Sequence, residues 1–163
     1  MKFRIDEALW DGRRPDRERE WQHALMDLNA EHDGHPPVVT IARRDDGGAD
    51  LKVVHGGDAP TVEQVVALTF DMLRDHFRDY REVIGRLARA DAGALGMRDW
   101  ETLDYAKKLV HDEAGGRIRR ALKAVLPIEL KLARRIFTLV FLVAADIPAE
   151  LVMRHRSHGP NPS

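Results

Sequence analysis

Seven apolar side chains in the middle of the chain repeat with alternating spacings of four and three residues. This spacing aligns them along one face of a helix. Thr61 is a good N-cap after Pro60, and Gln64 stands where a capping box needs it. We therefore predict a helix from Thr61 to about Ala90, with its apolar stripe buried inside the same chain. The apolar stripe consists of Val66, Phe70, Leu73, Phe77, Tyr80, Ile84 and Leu87.

The first part of the chain has the patterns of strands. Met1–Asp6 alternates apolar and polar residues, which is typical of a strand with one buried face. Val38–Arg43 and Leu51–His55 flank the turn-forming segment Asp45–Asp50 and predict an antiparallel hairpin. Apolar spacing predicts a helix from Asp16 to about Glu31 between them. We expect the N-terminal strand to pair with the hairpin, giving a small antiparallel sheet of about three strands.

Two more helices are predicted after the stripe. The first runs from Asp99 to about Leu126 and includes Gly115-Gly116, where a bend or a closely packed backbone is expected. The second, Ile128–Ala145, is apolar on every side from Ile136 onward and should be the central buried helix. The predicted fold is α+β, a sheet followed by a bundle of three long helices. It forms a single domain over residues 1–153, with a flexible tail over 154–163.

Composition excludes several classes of chemistry. The 163 residues contain no cysteine, so disulfides, thiolate metal sites and cysteine nucleophiles are ruled out. Neither the spacing of the eight histidines nor any glycine-rich motif predicts a metal or cofactor. The longest apolar stretch, Ile136–Ala145, is too short to cross a bilayer. The N-terminus lacks the apolar core of a signal peptide, so we expect a cytoplasmic protein without membrane contact.

Charge is distributed unevenly along the chain. Residues 1–106 contain 15 Lys and Arg against 22 Asp and Glu, a net of −7, whereas residues 107–135 have a net charge of +6. This asymmetry indicates either a basic surface for a partner or ion pairing between the two halves. No aromatic residues interleave with the basic ones, and the total charge is −1, so nucleic acid is not the expected partner. An acidic protein or an anionic small molecule is the expected one.

Several segments resemble a known bacterial family. Tyr105–Gly115 is similar to the family's stretch that ends in His-Asn-Glu-Gly-Ser, with Asp112 in place of the asparagine. Ala133–Leu139 is similar to its Ala-Arg-Arg-Leu-Phe-Thr-Leu, and Glu18-Arg19 also matches its first helix. The family is uncharacterised protein family 0262. Because it has no established activity, the resemblance implies no substrate or cofactor.

His111 and Glu113 are the weak candidates for catalysis. They lie on opposite margins of the apolar face of the third helix. Residues two apart on a helix do not face each other, so the two side chains cannot bind one ion together. His111 would act as a general base and Glu113 as its orienting partner or as an acid. In the structural alternative, His111 is a half-buried boundary residue and Glu113 pairs with Arg117 one turn later.

Arg134 and Arg135 precede the apolar part of the last helix. Together with Arg117 and Arg120 they are the candidates for binding an anionic ligand, since an arginine pair can grip a phosphate or carboxylate in bidentate fashion. The structural alternative is that Arg134 and Arg135 bond Glu113 or Asp104 and set the register of two helices.

These observations predict a non-catalytic cytoplasmic binding or regulatory protein that uses a basic helical surface over residues 107–135. The alternative is a small enzyme that acts on an anionic substrate through His111, Glu113, Arg134 and Arg135. Both a monomer and a homodimer built on the apolar stripe remain open.

Overall fold

The computed structural model describes residues 1–12, 15–57, 61–89 and 97–145. These residues form an α+β fold with a four-stranded sheet and four α-helices. The predicted connection at 91–96 and the predicted tail at 154–163 lie outside them. The strands are β1 (Lys2–Ile5), β2 (Val38–Arg43), β3 (Ala49–Val54) and β4 (Glu63–Leu68). The helices are α1 (Pro15–Asn29), α2 (Phe70–Arg89), α3 (Met97–Leu122) and α4 (Leu130–Ala144).

The sheet has the order β1-β2-β3-β4 and is mixed rather than antiparallel. The predicted hairpin is confirmed, with β2 and β3 antiparallel and Ile41 opposite Leu51. However, β1 runs parallel to β2, with Ile5 opposite Ile41. A parallel pair needs a crossover of a dozen or more residues, and the connection through α1 supplies it.

The predicted start of the second helix at Thr61 is wrong, because Glu63–Leu68 forms the fourth strand. β4 pairs antiparallel with β3, with Val66 opposite Leu51 and Leu68 opposite Ala49. Its side chains alternate, Val66 and Leu68 being buried while Val65 is exposed. Val65 and Val66 are β-branched and favour a strand, and the backbone of β3 supplies the hydrogen-bond partners for β4.

Helix α2 begins after this strand and is capped from two directions. The Thr69 hydroxyl accepts a hydrogen bond from the Met72 amide at 3.3 Å. Asp46, in the turn between β2 and β3, accepts one from the Phe70 amide at 3.3 Å. The sheet and the helix bundle are thus joined by a side chain far from α2 in sequence.

The core lies between one face of the sheet and the helices. Ile5, Ile41, Leu51 and Val66 form one buried row across the four strands. Helix α4 packs against α1, α3, β2 and β3, and it is the central buried helix, as predicted.

The apolar stripe is buried within the chain except at Phe70, which is half-buried. Its first member, Val66, belongs to β4 rather than to the helix. The side chains of the stripe pack against the protein's own core.

Close helix packing explains the first glycine of the pair in α3. A Cβ atom at Gly115 would lie 2.9 Å from Cγ and 3.1 Å from the backbone nitrogen of Arg134 in α4. At Gly116 the nearest described atom is the flexible end of Arg120, at 3.6 Å. Gly115 is therefore a point of close approach between α3 and α4, whereas the nearest neighbour of Gly116 is a flexible side chain of its own helix.

The two glycines should respond oppositely to alanine. We expect Gly115→Ala to destabilise the protein by about 1–3 kcal/mol, because the new methyl group meets backbone that cannot move freely. Gly116→Ala should stabilise it by about 1 kcal/mol, because alanine favours the helix and finds space there. Chemical denaturation of both variants tests this, and equal effects at the two positions would contradict the packing of α3 on α4.

Candidate functional site

His111 lies in the junction of α2, α3 and α4, and its side chain is already occupied. Its Nδ1 bonds the Lys107 carbonyl at 3.0 Å, and its Nε2 bonds the Thr138 hydroxyl at 3.1 Å. The ring meets Tyr80 edge-on, with the centroids 4.7 Å apart. Only 8% of the residue is exposed. It lies deeper than the half-buried boundary position that the sequence predicts.

The surroundings of His111 favour the neutral imidazole. Burial lowers the pKa of His111 to about 4, against a weaker opposing effect of the Lys107 carbonyl. The carbonyl accepts the Nδ1 proton, so Nε2 is the acceptor for the Thr138 hydroxyl. Both ring nitrogens therefore have protein partners, which leaves none for a substrate.

Glu113 is exposed and does not join His111. It also makes no ion pair with Arg117, whose Nη1 instead donates to the Met72 carbonyl at 3.1 Å. The histidine near these two charges is His76, a buried residue of α2. Burial lowers the pKa of His76, and the charge of Arg117 lowers it further, while Glu113 opposes this.

His76 was not among the sequence candidates. Its position, three residues after Leu73 and one before Phe77, places it beside the apolar stripe. That periodic placement is the signal by which it could have been found. His76 is 9% exposed and lies on α2, which packs against α3.

Arg134 and Arg135 do not converge on one ligand. Arg134 pairs with Asp112 at 3.2 Å and joins α4 to α3. Arg135 pairs with Glu31 at 3.2 Å and joins α4 to the end of α1. The expected bonds to Glu113 are not formed, because the two guanidinium groups point toward different helices. Each side chain is 38% exposed, so neither is a buried cation.

The basic segment, residues 107–135, is only partly neutralised by ion pairs. Lys131, like Arg135, pairs with Glu31, and Lys108 pairs with Asp104 at 2.9 Å. Burial lowers the pKa of Lys107. Pairing between the acidic and basic halves therefore accounts for some of the basic residues but not for all of them.

Three exposed cations at the end of α3 have no ion pair with any described residue. Arg119 and Arg120 lie in its last turn, and Lys123 follows the helix directly. We call these three residues the α3 basic end. Arg117, also exposed, lies one turn earlier. Arg120 thus lies in this group, apart from Arg134 and Arg135, with which the sequence grouped it.

Two features are absent from the part of the chain that the structure describes. It contains no group of three or more histidine, aspartate or glutamate side chains placed to hold a metal ion. Its helices all fall short of the length and apolar character needed to span a membrane.

The fold and the site define an α+β protein with a filled helix junction around His111 and an exposed cationic helix end. The chain belongs to the uncharacterised protein family UPF0262, whose sequence profile matches residues 1–145. It is 27% identical over 150 residues to a UPF0262 protein of Sphingopyxis alaskensis, covering 86% of this chain and 89% of that protein. No solved structure matches it.

Proposed function

We propose that the protein is a non-catalytic binding protein that docks on an acidic surface of another protein through the α3 basic end. The observation that supports this most strongly is the set of three exposed cations, Arg119, Arg120 and Lys123, without an ion pair among the described residues. Unpaired cations on a rigid helix end attract an acidic partner and orient it. Within this proposal the protein acts in the cytoplasm.

The catalytic alternative has less support. A general base must reach the proton that it removes, and His111 is buried with both ring nitrogens bonded within the protein. The residues predicted to act with His111 do not contact it. Glu113 is exposed, and the two arginines of α4 are ion-paired with Asp112 and Glu31. Such a buried junction stabilises the helix bundle and occupies both ring nitrogens of His111.

An acidic protein fits the basic end better than a nucleic acid does. The chain has a total charge of −1, and its acidic first 106 residues would repel a phosphate backbone. The side chains of the basic end have no aromatic neighbour in sequence on which bases could stack. A small cationic patch suits the rim of a protein interface, where charges set the rate and specificity of association.

Charge reversal at the α3 basic end tests the proposal. Binding of an acidic polypeptide probe, poly-glutamate, is measured for the wild type and for the triple variant Arg119→Glu, Arg120→Glu, Lys123→Glu. We expect the affinity to fall by about tenfold or more, mostly through slower association, and to decrease with added salt. Proteins cross-linked in native cells should be lost from the variant in parallel.

The matched control reverses two exposed cations of the same basic segment that are already ion-paired, Lys108 and Lys131. Their reversal should change probe binding much less. Equal losses in the two variants would contradict the assignment to the α3 basic end. Sub-micromolar binding of a DNA duplex at about 0.15 M salt would overturn the choice of partner, because non-specific binding there is ordinarily about 10⁻⁴–10⁻⁶ M.

A further inference from the structure

A cavity of about 560 Å³ opens beside α2, far in sequence from the α3 basic end. It lies between α2, the turn from β2 to β3 and the end of α4. Phe70, Phe77 and Ala144 supply apolar surface to its lining. Its volume falls in the range of about 300–1,000 Å³ that is usual for small-molecule sites.

Arginines surround this apolar lining. Arg74, Arg78, Arg81 and Arg89 all line the cavity, because spacings of four, three and eight bring them to one side of α2. Arg74 and Arg78 are ion-paired with aspartates of the same helix. Arg81 and Arg89 are exposed and have no ion pair among the described residues.

Gly85 lies midway between these two arginines, four residues from each. The nearest described atom to a Cβ at this position is Nη1 of Arg89, at 3.8 Å. The helix surface is therefore open here, between the positions of the two arginines.

We propose that this cleft binds a small organic anion in which a phosphate or carboxylate group is attached to an apolar or aromatic body. The guanidinium groups of Arg81 and Arg89 would hold the anionic group through paired hydrogen bonds. The apolar body would lie on the phenylalanine side of the cleft, where the Arg74 guanidinium carbon already lies 5.5 Å from the centre of the Phe70 ring. The only carboxylate in the described lining, that of Glu82, is paired with Arg86 at 2.7 Å.

Calorimetric titration of the full chain tests the site with three probes: 1-naphthyl phosphate, 1-naphthol and inorganic phosphate. We expect 1-naphthyl phosphate to bind most tightly, because only this probe has both the anionic group and the apolar body. Arg81→Ala and Arg89→Ala should each weaken its binding by about tenfold or more, since each removes hydrogen bonds to a charged group. Gly85→Leu should also weaken it by filling the bare surface, while circular dichroism confirms that the helix is kept.

Arg119→Ala is the control, because Arg119 belongs to the α3 basic end and does not line the cleft. It should leave the affinity for 1-naphthyl phosphate unchanged, which separates this site from the proposed protein-docking surface. Failure of the wild type to bind 1-naphthyl phosphate at about 1 mM would overturn the proposal. So would equal binding of inorganic phosphate or 1-naphthol, or equal losses from Arg119→Ala and Arg81→Ala.

Discussion

Replacing Phe77 by alanine is expected to lower the free energy of unfolding by about 3–5 kcal/mol. The ring is buried and contacts two aromatic rings of α4, with its centroid 5.5 Å from that of Phe141 and 6.0 Å from that of Phe137. Truncation would remove apolar contacts from α2 and leave a cavity against the central helix. Denaturation by urea, followed by circular dichroism, measures the change.

Phe70→Ala is the matched control on the same helix. Phe70 is half-buried and faces the arginine-lined cleft, so its truncation should cost only about 1–2 kcal/mol. A loss at Phe77 no larger than the loss at Phe70 would show that the stripe is not part of the core.

Acidification should destabilise the protein through His111, by about 3 kcal/mol between pH 7 and pH 4. Burial lowers the pKa of His111 to about 4 in the folded protein, whereas a histidine in the unfolded chain has a pKa of about 6.5. Protons therefore bind the unfolded chain first as the pH falls. The contribution of the neutral imidazole is complete above about pH 6.5 and decreases toward pH 4.

The free energy of unfolding is measured across this range for the wild type and for His111→Gln. The variant should lose the part of the pH dependence that His111 contributes, because glutamine does not titrate, whereas the part due to His76, whose pKa burial also lowers, should remain. His23→Gln, at an exposed position on α1, controls for the removal of a histidine elsewhere. An imidazole signal of His111 that titrates near pH 6.5 in an NMR experiment would contradict the burial argument.

Local patterns in the sequence predicted much of this fold. The spacing of Leu73, Phe77, Ile84 and Leu87 identified the buried face of α2, because a helix turns once in about 3.6 residues whatever surrounds it. The continuous apolar run after Ile136 identified the central helix, because a helix without a polar face is buried on all sides.

Signals at the start of α2 were misleading because they are equally local. Thr61 and Gln64 satisfy the rules for a helix start, but Glu63–Leu68 instead pairs with β3 as a strand at the edge of the sheet. The actual cap uses Thr69 together with Asp46 from a distant turn. Strand pairing and capping from another element depend on which segments meet in space.

In the candidate site, too, some features follow from the local sequence and others from contacts between distant segments. Sequence periodicity placed His111 and Glu113 on opposite margins of one helix and located a basic segment after residue 106. Only the tertiary structure decided that His111 is sealed against Thr138 and Tyr80, and that Arg134 and Arg135 reach Asp112 and Glu31.

By itself, the sequence determined the fold class, the buried faces of the helices and the sign of the charge in each half, because backbone periodicity and side-chain chemistry are local properties. The parallel pairing of β1, the close approach of α4 at Gly115, and the separation of paired from unpaired cations were decided by the tertiary structure. These features arise where segments distant in sequence meet, and the energy of such a contact depends on the geometry of both partners.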